Sequence, residues 1–366
     1  MDEITSKKKS VAGRKIRVGV IGAGLWATYS HIPNLLKRRE EVELVGVCRL
    51  GAKEVKNVAE KFGFSVASED FRDIIDLELD LIVIASPARF HYEQAKASLL
   101  SGAHILIEKP VTLLPEECWE LQGIADRQGL HGLVSYGWNY QPAFLKCHEM
   151  LQRRSIGNIE NVVVHMGSGI KGLILGRSLS STGRKEDEAD TGTYSDTSLA
   201  GGGYMQSALH HVLGWLFGMT DLRAREVSSR LLFGDVPGIE TQVAVTLGFD
   251  NDAIGVLSGS AFKAHKRHQA SVRIYGSQGQ VYADLEHDLV EFWFDDEFVQ
   301  LPLAPGSELY NCDGPPNTLI DLVQGKSASN FSNLDVGARA VEVVSTAYQS
   351  YLDGGRSIRV RLPDRE

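Results

Sequence analysis

One segment of the sequence combines small residues with the spacing needed to bind a phosphate. Residues 22–27 read GAGLWA and follow directly on the apolar run Ile16–Ile21. This G-x-G-x-x-G/A pattern, between a predicted strand and a predicted helix, is typical of a dinucleotide site. Gly22 permits the tight turn, Gly24 lets the backbone approach the pyrophosphate, and the helix N-terminus favours the anion. We predict that the cofactor contacts include Gly22, Gly24, Leu25 and Trp26.

The residue after the second predicted strand, Val42–Val47, bears on which dinucleotide is bound. An enzyme that holds both ribose hydroxyls is expected to carry an acidic residue there, but this sequence continues with Cys48 and Arg49. An arginine at this point can accommodate a 2′-phosphate. Arg49 therefore favours NADP over NAD, and NAD remains the alternative.

Two further residues are candidates for acid–base chemistry. Lys109 follows the predicted strand His104–Glu108, and ligands of a parallel sheet bind beyond the carboxyl ends of its strands. Partial desolvation there would lower the pKa of the lysine and ease proton donation. His211 lies in the predicted helix Tyr204–Phe217, four residues after Ser207, a spacing that places both on one helical face. Histidine is suited to take a hydroxyl proton at neutral pH.

These residues need a scaffold, and the first third of the chain predicts one. From Lys15 to Tyr136 short apolar runs alternate with helical patterns, which indicates βαβ units and a parallel sheet. The predicted strands are Ile16–Ile21, Val42–Val47, Leu79–Ala85, His104–Glu108 and Leu130–Tyr136. The predicted helices are His31–Arg39, Lys53–Phe62, Phe90–Ser101 and Pro115–Gln128.

After Tyr136 the pattern changes to a run of strands between helices, which predicts an α+β domain around a mostly antiparallel sheet. Besides Tyr204–Phe217, helices are predicted over Pro142–Arg153, Thr318–Gln324 and Asp335–Asp353. We expect Gly176–Gly203 to form a long mobile loop. The predicted division is a flexible arm over residues 1–14, a dinucleotide domain over 15–136, and a substrate-binding and oligomerisation domain over 137–366.

Composition restricts the class of protein. The chain has 366 residues and a formal net charge of −9, which disfavours nucleic acid as a partner. Its four scattered cysteines indicate a reducing, cytoplasmic compartment. We see no apolar run after the basic start and none long enough to span a bilayer, so we expect no membrane partner. Residues 263–268 contain two histidines without carboxylate or thiol partners, and we predict no metal site.

Four motifs together resemble one known family. They are the GAGLWA loop, the stretch Ser86–His91, Glu108-Lys109-Pro110, and Gly201–Gly203 leading to His211. The combination, from Lys15 to the final strand, resembles the glucose–fructose oxidoreductase and inositol dehydrogenase (Gfo/Idh/MocA) family. The resemblance implies a Rossmann domain followed by an α+β domain whose open sheet carries the oligomer contact of a homodimer or homotetramer. It also implies a cis Lys109–Pro110 bond.

The resemblance further implies a reaction, in which a hydride moves between nicotinamide C4 and a carbinol of a sugar, glycoside or cyclitol. His211 would take the hydroxyl proton and Lys109 would hydrogen-bond the same oxygen. Further cofactor contacts would come from Ser86, His91 and Glu108. Further substrate contacts would come from Asn139, Tyr140 and Ser207.

The sequence departs from the family pattern at four positions. The family has Asn at Ala88, Arg at Asn139, and Asp at both Ser207 and Gly214. The missing Arg makes a strongly anionic substrate less expected. The missing Asp at Ser207 leaves room for a second reading, an NAD-dependent glycosidase that oxidises its sugar transiently without net redox. A third reading is a dinucleotide-binding sensor, like a fungal co-repressor of this fold, but the presence of Lys109 and His211 argues against it.

Overall fold

The computed structural model describes residues 13–153, 156–177, 192–262, 269–287, 289–294, 297–302 and 310–361. Three predicted segments lie wholly or partly outside the described residues: most of the N-terminal arm, residues 178–191 of the long loop, and the histidine-containing stretch 263–268. The described chain forms two compact units. The first contains the described residues up to 112, together with 116–137 and 312–335. The second contains 113–115, 138–311 and 336 onwards, as far as they are described.

The first unit contains a six-stranded parallel sheet with the strand order β3-β2-β1-β4-β5-β6. Its strands are β1 (Ile16–Ile21), β2 (Val42–Cys48), β3 (Val66–Ser68), β4 (Leu81–Ile84), β5 (His104–Ile107) and β6 (Gly132–Val134). Strands β4 and β5 are buried along their whole length, as expected for a parallel sheet covered on both faces. The order is that of a doubly wound dinucleotide-binding fold, so the predicted fold class of this part is confirmed.

The second unit is built on a nine-stranded sheet in which only β7 and β10 are paired in parallel. Its strands are β7 (Ile159–Ser168), β8 (Ala224–Phe233), β9 (Glu240–Phe249), β10 (Ile254–Ala261), β11 (Gln269–Gly276), β12 (Gly279–Asp284), β13 (Leu289–Phe294), β14 (Glu297–Pro302) and β15 (Ile358–Arg359). Burial alternates along β10, so one face of the sheet is covered and the other is exposed. The predicted mostly antiparallel sheet is confirmed.

Twelve α-helices lie in the described residues. They are α1 (Ile32–Leu36), α2 (Ala52–Phe62), α3 (Phe71–Ile75), α4 (His91–Leu100), α5 (Pro115–Gln128), α6 (Pro142–Gln152), α7 (Lys171–Ile174), α8 (Gly192–Ser195), α9 (Thr197–Ala200), α10 (His210–Met219), α11 (Gly314–Val323) and α12 (Leu334–Leu352). Among the described residues, no helix has both the length and the apolar character to cross a membrane.

The structure differs from the predicted helices at several places, including the unpredicted short helices α3 and α7. The helix predicted at His31–Arg39 begins earlier, because a π-helical segment, Ala27–His31, precedes α1. A second π-helical segment, Met205–Leu209, precedes α10. The prediction of a loop over Gly176–Gly203 was wrong for α8 and α9, since Asp196 caps α9 through the Ser198 N–H.

Residues 312–335 pack with the first unit, although they lie far beyond the predicted domain boundary near residue 136. The guanidinium of Arg38 donates to Asp321, and the Asn34 amide donates to the Cys312 carbonyl. These contacts join segments almost 300 residues apart in the sequence, which local patterns do not reveal. The functional division into domains stays a prediction.

Candidate functional site

The loop after β1 has the geometry of a pyrophosphate cradle. Gly22 has a φ of +82°, and a Cβ there would lie 2.2 Å from the Ser86 nitrogen, so only glycine fits. The Gly22 N–H donates to the Cys48 carbonyl at 2.9 Å, which ties the loop to the end of β2. A Cβ on Gly24 would meet nothing closer than 3.9 Å. The backbone at Gly24 is therefore open to a ligand, and this loop fits a dinucleotide phosphate.

The helical segment after the loop connects it to the end of β5. The side chains of Leu25 and Trp26 are 47% and 37% exposed, as contacts with a ligand require. The Trp26 indole donates to Oε1 of Glu108 at 2.9 Å, and His31 Nε2 lies 2.8 Å from the same oxygen. Trp26 and His31 are five residues apart, and the wider turn of a π-helix aligns that spacing. The sequence analysis missed the role of His31, because the predicted helix began only at His31 and left Trp26 outside it.

Glu108 and Lys109 stand where β5 ends. Glu108 Oε2 accepts a hydrogen bond from the Lys109 backbone N–H at 3.2 Å, and the Lys109–Pro110 bond is cis, as the resemblance implied. Burial would raise the pKa of Glu108, but the His31 hydrogen bond and nearby positive charges lower it overall. Burial lowers the pKa of Lys109, while the Glu108 charge opposes that shift. Lys109 is thus suited to give and receive a proton.

Ser86 and His91 hold two loops of the first unit together. His91 is 1% exposed, and its ring nitrogens lie 2.8 Å from the Ser86 carbonyl and 2.7 Å from the Pro110 carbonyl. Burial lowers the pKa of His91, against the effect of the two carbonyls. The imidazole therefore links the loop after β4 to the loop that carries Lys109. A direct contact of His91 with the cofactor stays a prediction.

Arg49 follows β2, as expected, and lies against the glycine-rich loop. Its Nη1 donates to the Ala23 carbonyl at 3.3 Å, and its Nε donates to the Leu50 carbonyl at 3.4 Å. The guanidinium is half-buried beside the loop. This position is the one at which an adenosine ribose or its 2′-phosphate binds in doubly wound folds.

The second unit surrounds His211 with aromatic rings. The centroid of the His211 ring lies 5.4 Å from that of Trp138 and 5.0 Å from that of Tyr310, in an edge-to-face arrangement with Tyr310. Trp138 and Tyr310 also contact each other at 5.7 Å. Sequence reasoning missed Tyr310, because it lies 99 residues beyond His211 in the chain and no motif marks it. The three rings form a partly exposed aromatic cluster.

Asn139 and Tyr140 lie in the same 3₁₀ turn as Trp138. Asn139 is fully buried, and its amide donates to the Gly214 carbonyl at 2.9 Å, so it fixes the turn on α10. The Tyr140 carbonyl accepts from the Asn311 amide at 3.3 Å. The burial of Asn139 favours a role in holding this turn. Contact of Asn139 or Tyr140 with a substrate stays a prediction.

A buried carboxylate anchors the start of the segment that carries His211. Glu240 is 0% exposed and accepts from the Gly203 N–H at 2.9 Å, the Met205 N–H at 2.7 Å and the Tyr348 hydroxyl at 2.9 Å. Burial raises the pKa of Glu240, although the donated hydrogen bonds oppose the shift. A Cβ on Gly203 would lie 2.4 Å from the Glu240 carbonyl oxygen. The glycine turn therefore serves close packing as well as flexibility.

Ser207 differs from its expected setting. It lies in the π-helical segment, whereas the four-residue argument assumed an α-helix up to His211. The Ser207 hydroxyl donates to the Tyr204 carbonyl at 3.4 Å. The neighbouring pair Gln206 and His210 is buried, with His210 Nε2 3.0 Å from the Gln206 amide oxygen.

Comparison with known proteins gives this chain its class. Residues 16–136 match the family model of an oxidoreductase family with an NAD-binding Rossmann fold, and residues 144–282 match the Gfo/Idh/MocA C-terminal domain. The first of these models describes an oxidoreductase family whose N-terminal domain is an NAD-binding Rossmann fold. These matches cover more than half of the chain, which therefore belongs to the Gfo/Idh/MocA family.

Individual relatives are more distant. An uncharacterized oxidoreductase of Synechocystis is 26% identical over 58% of this chain and 54% of its own length. The D-glucoside 3-dehydrogenase of Escherichia coli is 32% identical over 33% of this chain and 35% of its own length. The chain thus spans about half or less of these two curated relatives. Among solved structures, an inositol dehydrogenase homologue of Azotobacter vinelandii in complex with NAD+ superposes with a TM-score of 0.80 at 18% identity. The superposition covers 95% of this chain and 98% of that one, which shows that the two share a fold.

Proposed function

We propose that this chain is a nicotinamide-dependent oxidoreductase that transfers a hydride between the cofactor and a carbinol carbon of a neutral sugar, glycoside or cyclitol. The observation that carries the proposal is the placement of Glu108 and Lys109. Glu108 binds the helical segment of the nucleotide loop through Trp26 and His31, and its second oxygen accepts from the Lys109 backbone. The acid–base residue is thereby fixed to the element that would hold the cofactor.

The residues of the first unit have distinct tasks in this proposal. The loop at Gly22 and Gly24 cradles the pyrophosphate. A bound nicotinamide supplies the hydride acceptor at its C4 atom. Lys109 donates a hydrogen bond to the substrate oxygen, and its lowered pKa makes transfer of its proton easier. His91 and Ser86 hold the loop that carries Lys109.

His211 is the proposed general base for the substrate hydroxyl. Imidazole accepts a proton near neutral pH, and the rings of Trp138 and Tyr310 fix its orientation. Aromatic side chains also suit the apolar C–H faces of a sugar ring. With Asn139 in place of the family's arginine, a neutral substrate is favoured. The E. coli relative named as a D-glucoside dehydrogenase supports the same substrate class.

The central test is Lys109→Met, assayed with glucosides and inositols as substrates and with both NAD+ and NADP+. We expect kcat to fall at least ~10²-fold, the size of one general acid–base contribution. Lys56→Met is the matched control, because Lys56 is 75% exposed on α2 and its loss should leave kcat unchanged. Unchanged turnover in Lys109→Met would refute the assigned role.

The same assay separates the two other readings of the sequence. A glycosidase with transient oxidation would release the aglycone with no net change in nicotinamide absorbance. A sensor would bind dinucleotide and turn over no substrate. Net reduction of the cofactor, matched by oxidised sugar, is the outcome that we expect.

We further propose a homodimer or homotetramer formed through the exposed face of the nine-stranded sheet. Exposed apolar side chains are distributed over four strands of that face, and two of them, Trp293 and Phe298, are paired on adjacent strands; the others are Ile254 and Tyr275. A second copy of the chain would bury this surface. Light scattering should give a dimer or tetramer, and Trp293→Glu should shift the mass towards the monomer. A monomeric wild-type protein would refute this proposal.

A further inference from the structure

Two neighbouring strands are followed by side chains of opposite charge: Arg49 follows β2, and Glu69 follows β3. Strands β2 and β3 are parallel, with Cys48 opposite Ser68, and the Arg49 N–H donates to the Ser68 carbonyl at 3.3 Å. The residues that follow the two strands, Arg49 and Glu69, therefore emerge side by side. Sequence reasoning looked for a ribose-binding acid only at the end of β2.

Hydrogen bonding holds Glu69 at this place. Its Oε1 accepts from the Gly51 N–H at 2.7 Å, at the N-terminal end of α2. Only Oε1 takes part in that hydrogen bond, so Oε2 is suited to accept from a ribose hydroxyl. The Glu69 side chain is exposed, as a ligand contact at this end of the sheet requires.

Two more carboxylates act on the same strand end. Asp70 accepts from the Arg72 N–H at the start of α3, and Asp73 accepts from the Ser68 hydroxyl. Burial, with added effects of the charges on Asp70, Asp73 and Glu69, raises the pKa of the Cys48 thiol to about 11. The carboxylates are therefore close enough to give the end of β2 a negative electrostatic potential.

The positive charges at this position are fewer. Arg49 donates to the carbonyls of Ala23 and Leu50, and Lys53 lies in the first turn of α2. A phosphate monoester carries a charge of about −1.5 to −2 at neutral pH. Arg72 is a third cation, since it pairs with Asp70 at 3.3 Å, and Glu54, in the first turn of α2 near Gly51, is a fourth carboxylate. Beside four carboxylates and three cations a 2′-phosphate would be repelled more than it is attracted, whereas a ribose hydroxyl donates well to a carboxylate.

We propose that Glu69 binds the adenosine ribose hydroxyls and makes this protein selective for NAD over NADP. This inference rests on the proposed function, since it concerns the cofactor of the same site. It reverses the preference that Arg49 alone suggested, because the charges delivered by the neighbouring strand outweigh that arginine.

The test is direct binding of NAD+, NADP+, 5′-ADP and 2′,5′-ADP by isothermal titration calorimetry, without substrate. The wild-type protein should bind NAD+ at least about tenfold more tightly than NADP+, and 5′-ADP more tightly than 2′,5′-ADP. Glu69→Gln should reduce the NAD+ preference about tenfold, through weaker NAD+ and tighter NADP+ binding. Glu40→Gln is the matched control, because Glu40 is 85% exposed and precedes the opposite end of β2.

The outcomes are distinguishable. Tighter NADP+ than NAD+ binding by the wild-type protein, or an unchanged preference in Glu69→Gln, would overturn the inference and leave the proposed oxidoreductase function standing. Absence of binding by all four nucleotides would overturn the proposed function and this inference with it. A preference that changes equally in Glu40→Gln would show a general charge effect and would also overturn the role of Glu69.

Discussion

A buried arginine of α12, Arg339, donates hydrogen bonds to the carboxyl end of α10, the helix that carries His211. Removing this arginine should destabilise the second unit. Arg339, in α12, is 8% exposed. Its guanidinium donates to the carbonyls of Phe217 at 3.0 Å, Thr220 at 2.9 Å and Leu222 at 3.0 Å. These oxygens lie in or just after the last turn of α10, where no intrahelical donor is available. We choose Arg339→Met, because methionine fills a similar volume without donating.

The magnitude follows from the contacts. A carbonyl left without its donor costs about 1 kcal/mol or more, and three are affected. The guanidinium also lies 5.2 Å from the centre of the Phe217 ring, a contact worth about 0.5–1 kcal/mol. Relief from burying a charge and the packing of the methionine offset part of this loss. We expect the free energy of unfolding to fall by about 3 kcal/mol.

The assay is urea-induced unfolding followed by tryptophan fluorescence, since Trp215 is fully buried within α10 itself. Arg339→Lys should give an intermediate loss, because one ammonium group cannot reproduce the planar donor set. Arg356→Met is the control, since Arg356 is 81% exposed and its loss should change little. A loss below about 0.5 kcal/mol in Arg339→Met would refute the reasoning, since surface changes alone reach that size.

Two further predictions concern other buried contacts. Gly203→Ala should lower the free energy of unfolding by about 2 kcal/mol and reduce kcat, because the new Cβ would lie 2.4 Å from the Glu240 backbone oxygen, which cannot move away. The control in the same urea titration is Gly123→Ala, whose Cβ would meet only the flexible end of the Arg127 side chain. Asp80 accepts from Arg14 and the Arg17 N–H, which lower its pKa below 3.8 against the effect of burial. The ionised Asp80 therefore stabilises the folded protein above pH 3.8, and this stabilisation is lost as the pH falls through the lowered pKa. Asp80→Asn should unfold at a lower temperature than the wild-type protein at neutral pH, and the two unfolding temperatures should converge in acid. A difference in unfolding temperature that does not change with pH would contradict this prediction.

The nucleotide-binding fold could be predicted because its signals are local. The apolar run of β1, the GAGLWA loop and the alternation of strands with helices each lie within a few residues. The left-handed turn at Gly22 and its close approach to the loop after β4 are what the motif requires. The resemblance to the Gfo/Idh/MocA family rested on such motifs and was confirmed.

The π-helical segments that precede α1 and α10 could not be predicted from periodicity. Ala27–His31 and Met205–Leu209 are π-helical, and a π-helix needs only a small change in turn width that apolar spacing does not encode. That change brings Trp26 and His31 to one oxygen of Glu108. The π-helical segment that contains Ser207 also means that the α-helical spacing of four residues no longer predicts Ser207 and His211 to lie on one helical face.

By itself the sequence determined the strand and helix alternation, the phosphate-binding loop and the candidate residues Lys109 and His211, because side-chain periodicity and turn chemistry act over short distances. Only the tertiary structure decided which distant residues meet them. Tyr310 reaches His211, and Glu69 stands beside Arg49, through the folding of the chain and the pairing of strands. The electrostatic potential at a site is the sum over all neighbouring charges in space, and the pairing of β3 with β2 is therefore the basis on which we propose a cofactor preference opposite to the one predicted from Arg49 alone.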